Sequence, residues 1–210
     1  MCKAGPVATR KYEQRLRADA AERTRRRVLD TVAERLRKAP TEPLSLDQVA
    51  QQAGVARSTI YVVFGSRAGL LDAFAEDLWA RTGLAELTAA VAAPDAREHL
   101  RGGIRAASRM LAADIEIYRV LHAMARLDPD SVGGAVDKMD EERRGGMRYL
   151  AKRLKEDGVL RDDVTEAQAA DLLWMLTSFE AFDQLHTDRG MSVDGAAEVL
   201  ATTAERTLCR

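Results

Sequence analysis

The chain has 210 residues, 46% of them hydrophobic and 5% aromatic, and a formal net charge of −1. That is enough apolar material for one body, or for a small head on a larger one, and no apolar run approaches the about 20 residues of a membrane span, so no membrane partner is expected. The charge is unevenly spread: residues 1–67 hold 14 Lys and Arg against 7 Asp and Glu, a net +7, while residues 68–210 hold 18 against 26, a net −8, an asymmetry that reads, taken alone, first as solvated helix faces and otherwise as the basic head of a nucleic-acid reader.

The N-terminal MCKAGPVATRKYEQRLR has no apolar core of the kind a secretory signal carries. Cys2 and Cys209 sit at the two ends of the chain, a usage that suggests neither a disulfide framework nor a zinc site and fits a reducing cytoplasm. Ala, Leu and Arg dominate and β-branched runs are few, which favours an all-α fold.

Residues 1–20 are polar and marked by Pro and Gly, and read as a flexible basic arm. Arg10, Lys11, Arg15 and Arg17 would lie along phosphates or in a minor groove; the other reading is a plain disordered tail. The first long helix is expected from about Ala18 to Lys38, with Val28, Leu29, Val32, Ala33 and Leu36 as its core stripe. Arg23, Arg25, Arg26 and Arg27 crowd its start, where cations oppose the helix dipole. Pro40 and Pro43 end it.

Ser45 with Gln48 forms an S-x-x-Q capping box, so a short helix starts near Leu46. Leu46, Val49, Ala50 and Ala53 give it a buried stripe. Gly54 supplies the positive φ that a helix end requires. A second short helix follows, from Ala56 to Phe64, with Ile60, Val63 and Phe64 toward the core. Arg57, Ser58, Thr59, Tyr61 and Val62 are left on the outer side. One long cation, two hydroxyls, a phenol and a methyl-bearing residue are the groups that read base edges and hold phosphates in a major groove. Arg57 suits bidentate contact with guanine or a phosphate, Thr59 a phosphate or a thymine methyl, and Val62 a thymine methyl. Asp47 favours the helix dipole, or accepts from a cytosine amine.

Ser66 caps a helix from about Arg67 to Thr82, with Leu70, Leu71, Phe74, Leu78 and Trp79 on its apolar side. Gly83 to Pro94 reads as a connection. Asp95 with Glu98 caps a helix reaching Ala113, and a shorter one runs from about Asp114 to Leu127. Pro129 and Gly133-Gly134 separate it from a long helix, about Ala135 to Asp157, which Gly158 ends. Thr165-x-x-Gln168 is a second capping box and opens a helix to about Thr187. Ser192 starts the last, to about Leu208. The total is about nine helices. Two glycine pairs, Gly102-Gly103 and Gly145-Gly146, fall inside helical patterns, where each glycine costs about 1 kcal/mol. They read either as close helix contact or ligand space, or as a kink.

His99, His122 and His186 stand in no metal-ligand spacing, and no Ser, Cys or Lys sits in a nucleophile motif. No catalytic residue, metal or cofactor is expected, and the chain does not read as an enzyme.

The Ala-Gly-Val turn at residues 53–55, the Ser-Thr-Ile-Tyr-x-x-Phe helix at 58–64 and the Gly-Ser-Arg-Ala-Gly-Leu-Leu entry at 65–71 occur in order. Together they resemble the tetracycline-repressor (TetR) family over about Thr24 to Phe74. The resemblance implies a three-helix helix-turn-helix head at 21–66, after the arm at 1–20. It implies a helical ligand-binding and dimerisation body at 67–210. It also implies that Tyr61 donates to a phosphate and that Arg67, where the family commonly has Lys, touches another. Thr24 matches the family's threonine, and Ser45 joins the same DNA-facing set. Ala56 stands where many members have Ser, and Val63 where many have His, so one side-chain cap and one polar backbone contact are missing.

In the body, Met110, Tyr118, His122, Met147, Trp174, Met175, Phe179 and Phe182 are candidates to line a cavity. Thioethers and rings with a few polar tips suit a mostly apolar small ligand; taken singly, each reads first as core. The cavity itself is chiefly an implication of the resemblance. So is a four-helix dimer interface made by the last two helices, with Leu172, Met175, Leu176, Phe179 and Phe182 on one and Val199, Leu200, Ala204 and Leu208 on the other. The reading that follows is a homodimeric regulator that binds double-stranded DNA, a repressor released from a palindromic operator by a small ligand. Its rivals are a ligand-independent DNA-binding dimer regulated by a protein partner, and an enzyme or adaptor whose head has lost DNA binding.

Overall fold

The computed structural model describes residues 6–127 and 129–210. Cys2 lies outside them, as do the side chains of Arg10 and Lys11. Among the described residues there are eleven α-helices and one π-helical turn. The chain divides into two compact units, one ending at Phe74 and one beginning at Ala75.

The first unit holds α1 (Pro6–Lys38), α2 (Leu46–Gln52), α3 (Arg57–Phe64) and the first half of α4 (Arg67–Thr82). Its core is Val28, Leu29, Val32 and Leu36 from α1, Val49 and Ala50 from α2, Ile60 from α3, and Leu70, Leu71 and Phe74 from α4, all buried. Each such side chain contributes roughly 1.5–3 kcal/mol when removed from water. Residues 6–20, expected as an arm, are the N-terminal half of α1. Their apolar residues Tyr12 and Leu16 are 64% and 49% exposed, so helical continuity rather than core burial characterises this half.

The second unit holds the rest of α4, then α5 (Leu84–Val91), α6 (Ala96–Ala113), α7 (Ile115–Leu127), α8 (Pro129–Glu156), α9 (Glu166–Leu176), α10 (Phe179–Asp183), a π-helical turn at Gln184–Asp188, and α11 (Val193–Leu208). Helix α6 is central, packed against α5, α8 and α11. Asp95 caps it, accepting from the amides of Arg97 at 2.6 Å and Glu98 at 3.1 Å. Glu198 of α11 binds Arg101 and Arg105, both at 2.7 Å, and Glu205 binds Arg97 at 3.2 Å and also Arg101. This ladder sets the register of α11 on α6. At Gly102 α6 runs close to α5: a Cβ there would lie 3.3 Å from that of Ala90.

Three connections differ from the sequence expectation. The segment after Gly83 is helical as α5, because Leu84, Leu87 and Val91 share a face that meets the unit's interior. Gly133 and Gly134 lie inside α8, which starts at Pro129; a proline in the first turn has a preset φ and no needed N–H. The helix opened by Thr165 stops at Leu176 instead of near Thr187. There Arg143 Nη1 donates to the Trp174 carbonyl at 2.7 Å, and Ser178 accepts from the Ala181 amide at 3.1 Å to begin α10. A guanidinium thus takes a carbonyl that a continuing helix would have used.

The Thr165–Gln168 capping box is complete in both directions, whereas at Ser45 the hydroxyl accepts from the Gln48 amide at a long 3.5 Å. After Gly158, Arg161 N donates to Leu208 O at 2.8 Å and Arg210 N to Val159 O at 3.1 Å, fastening the C-terminus beside the α8–α9 loop. No helix among the described residues is long and apolar enough to cross a membrane.

Candidate nucleic-acid interface and interior cavity

Helices α2 and α3 are joined at Gly54, whose φ of +64° is the left-handed region a side chain disfavours. Val55 N closes the turn onto Ala50 O at 3.0 Å. The turn sets α3 across α2 with Ile60 inward. It leaves Ser58 exposed, Thr59 half-buried, Tyr61 43% exposed and Val62 85% exposed. Val63, expected inside, is on the surface at 36%, because the eight-residue α3 buries only the Ile60 line fully. Ala56 provides no side-chain cap at the start of α3.

Arg57 is engaged rather than open. Its Nη1 donates to both Asp47 oxygens, at 3.0 and 2.9 Å, and its Nη2 to the Tyr61 hydroxyl at 3.3 Å. The guanidinium also lies 5.7 Å from the Tyr61 ring centroid. Hydrogen bonding to Tyr61 and the nearby Asp47 carboxylate hold its pKa above the usual value. Asp47 is therefore more than a helix-dipole partner: it ties α2 to α3 on the outer face. Thr24 donates to the Ala20 carbonyl at 3.0 Å, Ser45 is the cap of α2, and Arg67 is half-buried with an unpartnered Nε.

Within the second unit lies a cavity of about 480 Å³, walled by the end of α4 and by α5, α6, α7 and α8, with Thr177 and Phe179 beyond them. Of the expected lining residues, Met110, Tyr118, His122, Met147 and Phe179 face it. Trp174, Met175 and Phe182 do not. Trp174 packs its ring on Arg143, with 3.3 Å from guanidinium carbon to centroid, Met175 is 55% exposed, and Phe182 is core. Gly103, Gly145 and Gly146 also line the cavity, so three of the four paired glycines leave it room.

Tyr118 is fully buried, and its hydroxyl lies 3.0 Å from Thr82 Oγ1. Thr82 already donates to Leu78 O at 2.8 Å, so Tyr118 is the donor in this pair. Burial pushes the phenol up to about 12. His122 stacks on Phe179 at 4.8 Å, and desolvation lowers its pKa. Sequence reasoning had not placed Trp79, His99 or Arg143 at this wall. The signal for His99 was available: His99, Gly103, Ala107 and Met110 recur at helical spacing on one face of α6.

Five of the nine expected dimer residues are already used by the single chain. Phe179, Phe182, Leu200, Ala204 and Leu208 are buried in it, the last three on the inner face of α11. Apolar surface on α9 and α11 is left at Met175 and Val199, 55% and 41% exposed, with Leu172 and Leu176 half-buried beside them. Among the described residues no group of His, Cys, Asp and Glu is arranged to hold a metal ion.

The first unit is a helix-turn-helix and the second is helical with an interior cavity. Residues 28–74 match the family model described as bacterial regulatory proteins, tetR family. Solved structures share the fold across nearly the whole chain. NalD of Pseudomonas aeruginosa, described as the secondary repressor of the MexAB-OprM multidrug efflux pump, is 22% identical, with 90% of this chain and 98% of that one covered and a TM-score of 0.70. A TetR-family regulator of Syntrophomonas wolfei is 11% identical, covering 89% and 95%, with a TM-score of 0.72. The fatty acid degradation regulator FadR of Bacillus halodurans is 15% identical, covering 97% and 96%, with a TM-score of 0.68. No curated protein sequence matches the chain. Residues 28–74 thus carry the sequence pattern of tetR-family regulatory proteins, and nearly the whole chain shares the fold of solved TetR-family regulators.

Proposed function

We propose that the protein is a homodimeric repressor of a palindromic operator, released when a small, mostly apolar molecule fills the interior cavity. The observation that carries this reading is the pairing of two features in one chain: an outward α3 face of Ser58, Thr59, Tyr61 and Val62, and a separate cavity of about 480 Å³. That volume lies within the range of sites that hold drug-sized ligands, roughly 300–1,000 Å³. The repressor role of the similar NalD points the same way.

Each head reads only a few base pairs. Two heads placed about 34–36 Å apart read adjacent major grooves and hence a palindrome. In each, Tyr61 and Arg67 bind phosphates, Thr24 and Ser45 flank them, and Arg57, Thr59 and Val62 meet base edges. The protomers pair through Leu172, Met175, Leu176 and Val199. Ligand affects DNA affinity only through its differential affinity for the two arrangements of the heads. Helix α4 is the lever: its first half belongs to the head's core, and Trp79 in its second half lines the cavity.

Selection of random duplexes with the purified full chain tests the reading. Enrichment of an inverted repeat with half-sites about one helical turn apart is expected. Enrichment of a single unrepeated half-site, or of no sequence, overturns it.

A further inference from the structure

Gly102 and Gly103 lie inside α6, and Gly145 and Gly146 inside α8. None of the four has a positive φ, so the backbone at each would accept an ordinary helix former. In a helix interior glycine is the poorest choice after proline, and its presence there calls for a reason. Gly102 has one in packing, since a Cβ there would press on that of Ala90 at 3.3 Å. Gly103 and Gly146 have no such reason. A Cβ on Gly103 would meet only His99 Cδ2, at an ordinary 3.7 Å, and one on Gly146 would meet nothing within 4 Å.

Both residues line the cavity, and both stand in the middle of a lining stripe. On α6 Gly103 recurs at helical spacing with His99, Ala107 and Met110; on α8 Gly146 does so with Met139, Arg143 and Leu150. Gly146 is exposed and Gly103 half-buried, so neither is closed off by its neighbours. A side chain at either position would project into the cavity. Bare backbone on two walls thus keeps the space of about 480 Å³ open, while weakening both helices.

We propose that Gly103 and Gly146 are the size-determining residues of the cavity, their missing side chains setting the largest molecule it admits. This rests on the cavity being the ligand site.

Fluorescence titration of the full chain with two uncharged probes tests it: Nile red and the smaller N-phenyl-1-naphthylamine. The unaltered chain is expected to bind both. Gly146→Leu is expected to weaken Nile red by about tenfold or more, as when a side chain crowds filled space, and to keep the smaller probe within about twofold. Gly103→Ala and Gly146→Ala are expected to weaken Nile red by about threefold and to raise the melting temperature by about 2–4 °C. Stability and binding then move in opposite directions, which a glycine kept for packing would not produce. Unchanged Nile red affinity in Gly146→Leu, equal loss of both probes, or exclusion of Nile red from the unaltered chain overturns the size assignment while leaving the cavity as a ligand site. A lower melting temperature in the alanine variants assigns the glycines to packing and overturns it too. Failure of both probes to bind the unaltered chain overturns the ligand reading itself. If Gly146→Leu does not fold, the alanine variants decide by the same two readings.

Discussion

Asp47 and Arg57 face each other across the turn of the helix-turn-helix, one guanidinium nitrogen bridging both carboxylate oxygens at 2.9 and 3.0 Å. The pair holds Arg57 beside Tyr61 and cancels a positive charge on the face proposed to meet DNA. Asp47→Ala frees that cation. Exposed pairs are worth about 0–1 kcal/mol, so the melting temperature is expected to hold. Affinity for a random duplex is expected to rise about twofold to fivefold at low salt, and discrimination among sequences to fall. Anisotropy titrations on operator and random duplexes check both. A variant that loses affinity for random DNA would show that Asp47 serves the complex rather than restraining it.

Arg67 and Tyr61 separate two kinds of phosphate contact. Arg67→Ala removes a charge from each of the two heads, so the slope of log affinity against log salt is expected to flatten by about 1.8, about 0.9 for each phosphate. Tyr61→Phe removes a neutral donor from each head and should weaken all sequences alike by about thirtyfold, the effect of about 1 kcal/mol per head, with the slope kept. Salt titrations of both variants read the difference. An unchanged slope in Arg67→Ala would remove it from the phosphate set.

The proposed dimer surface can be distinguished from the core of the same helices. Met175→Arg with Val199→Arg places charges on exposed apolar positions and is expected to yield folded monomers with much weaker operator binding. Leu208→Arg buries a charge in the single chain and is expected to unfold it, a cost of several kcal/mol. Sedimentation and circular dichroism tell the two outcomes apart. A double variant that stays dimeric would move the interface elsewhere.

The buried Tyr118 phenol has its pKa raised to about 12 from 10.0. Since the folded value is the higher one, its contribution to stability is complete below pH 10 and is lost as pH climbs toward 12. Tyrosinate absorbance should show one of the four tyrosines ionising only with unfolding. Tyr118→Phe should abolish that late step and flatten the alkaline loss of stability. A step at ordinary tyrosine pH in the folded protein would contradict the burial.

The head was largely readable from the chain because its signals are local. A cap, a glycine at a helix end and an apolar stripe act within a few residues, so α2, α3 and α4 fall close to their expected places. The same holds for α6, α9 and α11 at their N-termini, where Asp95, Thr165 and Ser192 accept amides from the next turn. What the chain could not announce depends on contacts far apart in sequence. Arg143 ends α9 by taking the Trp174 carbonyl, 31 residues away. The apolar spacing of α11 says that it buries a face, but not against what. Packing on α6 claims Leu200, Ala204 and Leu208, and leaves Val199 for any partner. Which rings line a void and which fill a core is likewise settled by packing, since the same Met and aromatic types serve both. Local backbone chemistry thus wrote the helices and the outward face of α3, while side chains brought together from distant helices set the cavity and the apolar surface left on α9 and α11.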